Sequence, residues 1–287
     1  MTLLDGKKTA EEIKVSIKAR VDEMVARGNR RPKLVAVLVG DDGASATYVA
    51  NKHKACQDAG IDSSVYHLPE DVSMDMLMYL IRQLNADESV DGFIVQLPLP
   101  KHLDEQAITL AIDPSKDVDG FHPLNQANAS MGLPGFVSAT PQGVLALLDH
   151  YGIETSGKHC VILGRSNIVG RPLANLLSSK KYNCTVTLCH SKTPDVASYT
   201  RNADIVVAAL GVPHFVKADM VKEGAVVVDV GITRVKDDSP KGYHIEGDVD
   251  FENVAPKCSY ITPVPGGVGK MTVIALLLNT LKAAENR

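Results

Sequence analysis

Tyr48 and Lys52 stand four residues apart in a stretch, residues 44–59, whose spacing predicts a helix, so the phenol and the amine share one face. That helix follows a buried-type strand predicted over residues 33–40. Its start therefore lies at the carboxyl end of the strand, where open α/β sheets keep their sites. Gln96 closes another predicted strand at the same edge, directly before the rigid run Leu97-Pro98-Leu99-Pro100. Asp119 lies in Lys116-Asp117-Val118-Asp119-Gly120-Phe121-His122, a loop with no evident packing reason to be so polar. Taken singly, a helical lysine is a solvated charge and a glutamine at a strand end is a backbone cap. Their convergence on one rim favours a binding site. An amide and a carboxylate without an arginine clamp suit a flat, hydrogen-bonding ring better than a small acid.

Two glycine-bearing segments supply the other chemistry. In Val161-Ile162-Leu163-Gly164-Arg165-Ser166-Asn167-Ile168-Val169-Gly170-Arg171-Pro172, a buried strand turns into a helix. Gly164 permits the tight turn, Gly170 permits close approach of helix to sheet, and the N–H groups of the helix start face a pyrophosphate. The outer glycines lie one residue further apart than in G-x-G-x-x-G, and Ser166 and Asn167 replace the middle glycine. The next strand ends at Cys189-His190-Ser191-Lys192-Thr193 with no carboxylate for a ribose 2′-hydroxyl. Ser191, Lys192 and Arg165 are suited instead to a 2′-phosphate, which favours NADP over NAD; the alternative leaves Lys192 a plain surface charge. The segment Pro263-Val264-Pro265-Gly266-Gly267-Val268-Gly269-Lys270-Met271 is not a P-loop, because Val264 stands at the first glycine position and Met271 follows the lysine.

Strand-like and helix-like patterns alternate on both sides of these motifs. Helices are expected over 9–27, 44–59 and 73–85, and strands over 33–40, 64–68 and 92–97. Residues 113–141, rich in Pro, Gly, Asn and Asp, read as functional loops and an interdomain crossing. A helix at 142–151 opens a second series with strands at 160–163, 185–189, 205–210 and 225–230 and a helix at 168–178. After residue 248, Pro-rich turns lead to a terminal helix near 271–284. The expected fold is α/β with two open parallel-sheet domains. The second, residues 141–265, is Rossmann-type, and residues 1–140 with 266–287 form the first, braced by the returning terminal helix.

Composition narrows the class. The 287-residue length suits two cores, and 45% hydrophobic residues excludes a disordered chain. A net charge of -4 with scattered Lys and Arg argues against nucleic acid. Five cysteines without a C-x-x-C pair argue against a disulfide framework or a metal site. The first residues lack a signal-peptide core, and no apolar run approaches a membrane span, so a soluble, cytoplasmic protein is expected.

Together, Tyr48-x-x-x-Lys52, Val95 to Pro100, Lys116 to Phe121, Gly164-Arg165-Ser166-x-x-Val169-Gly170 and Pro263 to Gly269 resemble the bifunctional methylenetetrahydrofolate dehydrogenase/methenyltetrahydrofolate cyclohydrolase family, in order and over essentially the whole chain. The resemblance implies oxidation of 5,10-methylenetetrahydrofolate with NADP, then hydrolysis to 10-formyltetrahydrofolate, in one-carbon metabolism that serves purine biosynthesis. It makes Lys52 the acid/base, positioned by Gln96, with its pKa depressed by removal from water. Tyr48 would pack along the substrate, and Asp119 would accept paired N–H donors of the pterin. Val95, Leu97, Pro265, Gly266, Gly267, Val268 and Gly269 would line the folate site. Gly164, Arg165, Ser166, Val169, Gly170, Ser191, Lys192 and Ile232 would hold the cofactor. A homodimer is also implied. Lys270 departs from the family, which has Pro there; a cation at a helix start opposes the helix dipole. Ala139 stands where many members have Cys. The competing readings are a two-domain dehydrogenase of amino-acid or shikimate type and a non-catalytic binding protein.

Overall fold

A computed structural model describes residues 1–239 and 242–287. The chain opens with β1 (Thr2–Leu3), α1 (Gly6–Ala26), β2 (Lys33–Val39), α2 (Gly43–Asp58), β3 (Asp62–Leu68), α3 (Met74–Ala86), β4 (Gly92–Val95), α4 (Glu105–Ala111) and α5 (Pro123–Met131). It continues with α6 (Ala139–His150), β5 (His159–Leu163), α7 (Gly170–Leu177), β6 (Thr185–Cys189), α8 (Val196–Thr200), β7 (Ile205–Ala208) and β8 (Val226–Asp229). The last elements are β9 (Thr233–Lys236), β10 (Tyr243–Glu246), α9 (Phe251–Val254), β11 (Tyr260–Ile261) and α10 (Val268–Glu285).

The chain divides into two compact units, Glu11–Ala139 with Val273–Arg287, and Met1–Ala10 with Thr140–Thr272. The first ten residues and the glycine-bearing turn at 266–272 thus group with the second half of the chain.

In the first unit a parallel sheet has the order β3-β2-β4. From Leu34 to Val39 every residue of β2 is buried, as a Val/Leu/Ala run covered on both faces must be. Val35, Val37, Leu77, Ile81 and Phe93 form its core. Ser73 caps α3 by accepting from the Met76 N–H at 3.3 Å. The terminal helix returns to this unit. Asn279 donates to the carbonyls of Val118 and Val137 at 2.8 and 2.9 Å, and Arg20 pairs with Glu285 at 2.6 Å.

The second unit carries six strands in the order β1-β11-β8-β7-β5-β6, all parallel. After β6 the chain crosses to the other side of β5 to form β7, so the strand order reverses beside β5. That reversal is the topological switch point where doubly wound sheets bind ligands.

Several segments differ from the sequence expectation, among them the short elements β1, α4, α8 and β11. The loop region 113–141 contains α5, whose Asn/Ala/Ser run lacks an apolar period. The helix is set by Pro123 at its first turn, by the His122 ring accepting from the Leu124 N–H at 3.1 Å, and by left-handed Gly132 at its end. Strands β9 and β10 pair antiparallel, Thr233 opposite Glu246 and Lys236 opposite Tyr243. The terminal helix begins at Val268, so Gly269 and Lys270 lie in its first turn. No helix among the described residues is long and apolar enough to cross a membrane.

Candidate active site

Asp42 caps α2, accepting from both the N–H and the hydroxyl of Ser45 at 2.8 Å. From there Ser45, Val49, Lys52 and Cys56 fall on the buried stripe of the helix. Lys52 therefore sits where an apolar residue is expected, with 5% of its surface exposed. Its Nζ donates to Gln96 Oε1 at 3.1 Å and lies 4.6 Å from the Tyr48 ring centroid. The Gln96 amide is locked in turn, its Nε2 donating to the Leu97 carbonyl at 2.7 Å and its backbone N–H to Val37 at 2.9 Å. Burial lowers the Lys52 pKa, against the opposing charge of Asp119. Among the described residues no carboxylate lies within ion-pair distance of Lys52, so its nearest polar partner is a neutral amide. Cys56 itself is pushed up to about 12 by burial and stays a thiol.

The polar run after Ser115 has a packing role that sequence reasoning did not find for it. Lys116 is buried and its Nζ donates to the carbonyls of Leu84 and Asp87 at 2.8 and 2.7 Å. Asp117 gathers the N–H groups of Phe121 and His122 and the Asn125 amide at 3.2, 2.8 and 2.9 Å. Burial raises its pKa to about 6 despite those bonds. These two residues clamp the loop, and a parallel bridge between Phe93 and Asp117 aligns it with β4. Asp119, two residues further toward the carboxyl end of β4, is different. Its half-buried carboxylate accepts no hydrogen bond among the described residues and borders a small cavity lined by Val95, Leu97, Ile108 and Phe121. Burial raises its pKa, and the charge of Lys52 opposes the rise. Tyr48, Lys52, Val95, Gln96, Leu97 and Asp119 all belong to the first unit.

The second unit holds the other candidates. Gly164, at φ 115°, leaves β5 so close to β7 that a Cβ would lie 2.1 Å from the Ala209 carbonyl oxygen. At Gly170 a Cβ would lie 1.9 Å from the Gly164 oxygen, so α7 starts against the turn itself. Only glycine fits either position. Arg165 and Ser166 are exposed at the crown of the turn. The sequence reading left the helix-start N–H groups free, whereas Gly170 and Arg171 donate to the Ser166 hydroxyl and carbonyl at 3.4 and 3.1 Å. Val169 donates to the same hydroxyl at 3.1 Å, which makes Ser166 the brace of the turn. The turn after β6 is pinned by His190, which donates to the Thr193 hydroxyl at 2.9 Å and accepts from Thr193 N–H at 2.8 Å. Ser191 and Lys192 project from it, both exposed, with no acidic side chain at this strand end. These features fit a dinucleotide bearing a 2′-phosphate.

Pro265, Gly266, Gly267, Val268 and Gly269 form a turn running into α10. The Gly266 carbonyl accepts from Lys7 N–H at 3.0 Å, and a Cβ on Gly269 would lie 2.9 Å from the tip of Ile232. Sequence reasoning missed two buried carboxylates nearby, Asp229 and Asp248, each of which binds three backbone N–H groups. The signal available was a glycine close to each, Gly231 two residues after Asp229 and Gly247 immediately before Asp248.

A doubly wound parallel sheet with a glycine-cornered turn at its switch point defines a dinucleotide-binding α/β protein, and a buried amine whose pKa is lowered by that burial marks it as an enzyme. Residues 4–119 match the tetrahydrofolate dehydrogenase/cyclohydrolase catalytic-domain model, and residues 138–287 match the NAD(P)-binding-domain model of the same family. The bifunctional protein FolD of Porphyromonas gingivalis is 58% identical over 286 residues, spanning 99% of this chain and 97% of its own. The crystal structure of the bifunctional FolD dehydrogenase/cyclohydrolase from Campylobacter jejuni superposes with a TM-score of 0.95 at 50% identity, covering 100% of this chain and 99% of that one. The FolD enzyme of Trypanosoma brucei, solved with NADP and an inhibitor, reaches 0.95 at 38% identity over 100% and 98% of the two chains. The chain belongs to the tetrahydrofolate dehydrogenase/cyclohydrolase family.

Proposed function

We propose that the protein oxidises 5,10-methylenetetrahydrofolate to 5,10-methenyltetrahydrofolate with NADP and hydrolyses the product to 10-formyltetrahydrofolate, with Lys52 as the proton-transfer group. The observation that carries this reading is the Lys52–Gln96 pair, an amine buried against a neutral amide rather than a carboxylate. NADP, when bound, supplies the hydride acceptor. Gly164, Arg165, Ser166, Val169 and Gly170 would hold its pyrophosphate end, Ser191 and Lys192 its 2′-phosphate, and Ile232 its far end.

On the folate side, Asp119 accepts N–H donors of the pterin, which is why its carboxylate is left without an internal partner. Tyr48 packs along the ring, and Val95 and Leu97 complete the binding surface of this unit. Loss of hydride leaves a cationic methenyl carbon. Neutral Lys52 takes a proton as water adds to that carbon and returns it to the departing ring nitrogen as the carbon–nitrogen bond breaks, while the added hydroxyl loses its proton to water and becomes the formyl carbonyl. Gln96 keeps the amine in place without setting a full opposite charge beside it. A cytosolic homodimer supplying formyl groups, purine synthesis included, is the cellular setting that fits.

The test is a coupled assay run with NADP and NAD in parallel, following methenyl absorbance as it forms and decays. Wild type should form and consume the methenyl species with a preference for NADP. In Lys52→Ala the decay should slow by about 100- to 10,000-fold, the range for loss of a general acid–base, with folate still bound. Undiminished decay in that variant would remove Lys52 from the mechanism.

A further inference from the structure

The carboxyl ends of β7 and β8 open into two short segments, Leu210–Val212 and Gly231–Ile232, at the edge where a doubly wound sheet meets its ligand. Val212 and Ile232 are 48% and 59% exposed, apolar side chains of the kind that flank a flat ring. Both segments are governed by buried carboxylates. Asp248 Oδ2 accepts from Leu210 and Gly211 N–H at 2.5 and 3.0 Å, and its Oδ1 accepts from Val212 at 2.9 Å. Asp229 Oδ1 accepts from Gly231 at 2.9 Å and from Asp248 at 3.0 Å, and its Oδ2 accepts from Val249 at 2.9 Å. The two therefore act in series, Asp229 fixing Asp248 and Asp248 fixing the β7 segment.

Sequence supports the same arrangement. A Cβ on Gly231 would lie 2.4 Å from Asp248 Oδ1, and one on Gly247 would lie 2.0 Å from Asp229 Oδ2. The glycines make room for carboxylates, not for ligand. Among the described residues no Lys, Arg or His pairs with either acid, although both are at most 3% exposed. Burying unpaired carboxylates costs stability, and such groups concentrate where function requires order. Burial, with the Asp248 charge adding to it, holds the Asp229 pKa at about 6.

We propose that Asp229 and Asp248 are positioning residues for hydride transfer: they fix Gly211–Val212 and Ile232 as the surface against which the nicotinamide ring is held. This rests on the dehydrogenase reading above and extends it to residues that touch neither substrate.

The experiment uses full-length wild type, Asp248→Asn, Asp248→Ala and Asp229→Asn, with three readouts. Dehydrogenase turnover is measured with NADP and methylenetetrahydrofolate, cyclohydrolase turnover with supplied methenyltetrahydrofolate, and nicotinamide immobilisation by the fluorescence of bound NADPH. In Asp248→Ala the dehydrogenase kcat should fall about 100-fold, the effect of a misplacement near 1 Å, while hydrolysis stays within about threefold. NADPH should still bind, because the turn at 164–170 is intact, but with weaker fluorescence enhancement. Asp248→Asn, which keeps one carboxyl-like oxygen, should show the same split at smaller size, and it decides the matter if the alanine variant does not fold. Equal loss of both activities, or unchanged NADPH fluorescence, would overturn the proposal. If wild type binds NADPH yet leaves methylenetetrahydrofolate unreacted, the folate reading fails, and the fluorescence comparison alone decides the role of the two acids.

Discussion

Replacing Gln96 by Glu puts a carboxylate where the structure has a neutral amide, 3.1 Å from the Lys52 amine. At an effective dielectric of about 20, unit charges at that distance attract by roughly 5 kcal/mol, before the cost of desolvating the new carboxylate is deducted. Opposite charges this close commonly raise a lysine pKa by about 1–3 units, each unit being about 1.4 kcal/mol. At fixed pH below that pKa, the neutral amine should therefore become about 10- to 1,000-fold scarcer. In wild type the cyclohydrolase rate should rise with pH along a limb set by the lowered Lys52 pKa. In Gln96→Glu the limb should move up by about 1–3 units, with the rate at neutral pH reduced in proportion. The assay is methenyl decay against pH, with the buffer-catalysed rate subtracted. Stability supplies a second reading. Lys52 has a lowered folded pKa, so between that value and 10.5 the unfolded chain holds more protons, and stability rises with pH across this window. The rise should shrink in Gln96→Glu. A limb that stays at its wild-type position would show that Lys52 is not the titrating base.

Two further substitutions separate binding from scaffolding. Asp119→Asn removes a charge that holds the Lys52 pKa up, so the cyclohydrolase limb should shift to lower pH. It also replaces a charged acceptor, so the folate KM should rise about 10- to 100-fold, as loss of a hydrogen bond worth about 1.5–3 kcal/mol requires. An unchanged KM would remove Asp119 as the pterin anchor. Lys116→Met leaves the carbonyls of Leu84 and Asp87 without their shared donor, and chemical denaturation should register a loss of about 2–4 kcal/mol. Its pH–rate profile should keep the wild-type midpoint, and a displaced midpoint would place Lys116 in the site rather than in the frame.

The parallel sheets were legible because β2, β5, β7 and β8 are apolar, β-branched runs between glycine and polar breaks, a pattern that covered strands cannot avoid. Lys52 was legible because i, i+4 spacing survives whatever surrounds the helix. Roles within a polar run were not. Lys116, Asp117 and Asp119 lie within four residues, yet the first two clamp backbone and only the third has a carboxylate without an internal partner. The difference depends on which carbonyls and N–H groups the tertiary fold brings near, and no local spacing encodes that. Helix α5 escaped for a related reason. Its boundary signals, Pro123 and Gly132, were visible, but its interior lacks the apolar stripe on which the periodicity argument depends.

Asp117 and Asp229 apply the same device in the two units, a buried carboxylate collecting backbone N–H groups in place of a cation. Both are pushed from 3.8 to about 6 by burial. A raised folded pKa means that the fold prefers the protonated acid, so this contribution to stability is complete below pH 3.8 and is lost as pH climbs to about 6. Ionised at neutral pH, each costs on the order of 3 kcal/mol relative to its protonated form. Lys52 is held against its charge with the opposite sign, amine disfavoured as cation rather than acid as anion. A chain selected for stability alone would fill these three positions with apolar or neutral residues. Here Asp117 fixes the loop that carries Asp119, Asp229 and Asp248 fix the loops after β7 and β8, and Lys52 is the proposed proton-transfer group. The destabilised charges lie on the segments that must be rigid or reactive, which is where a cost in folding free energy can be offset by a lower barrier in catalysis.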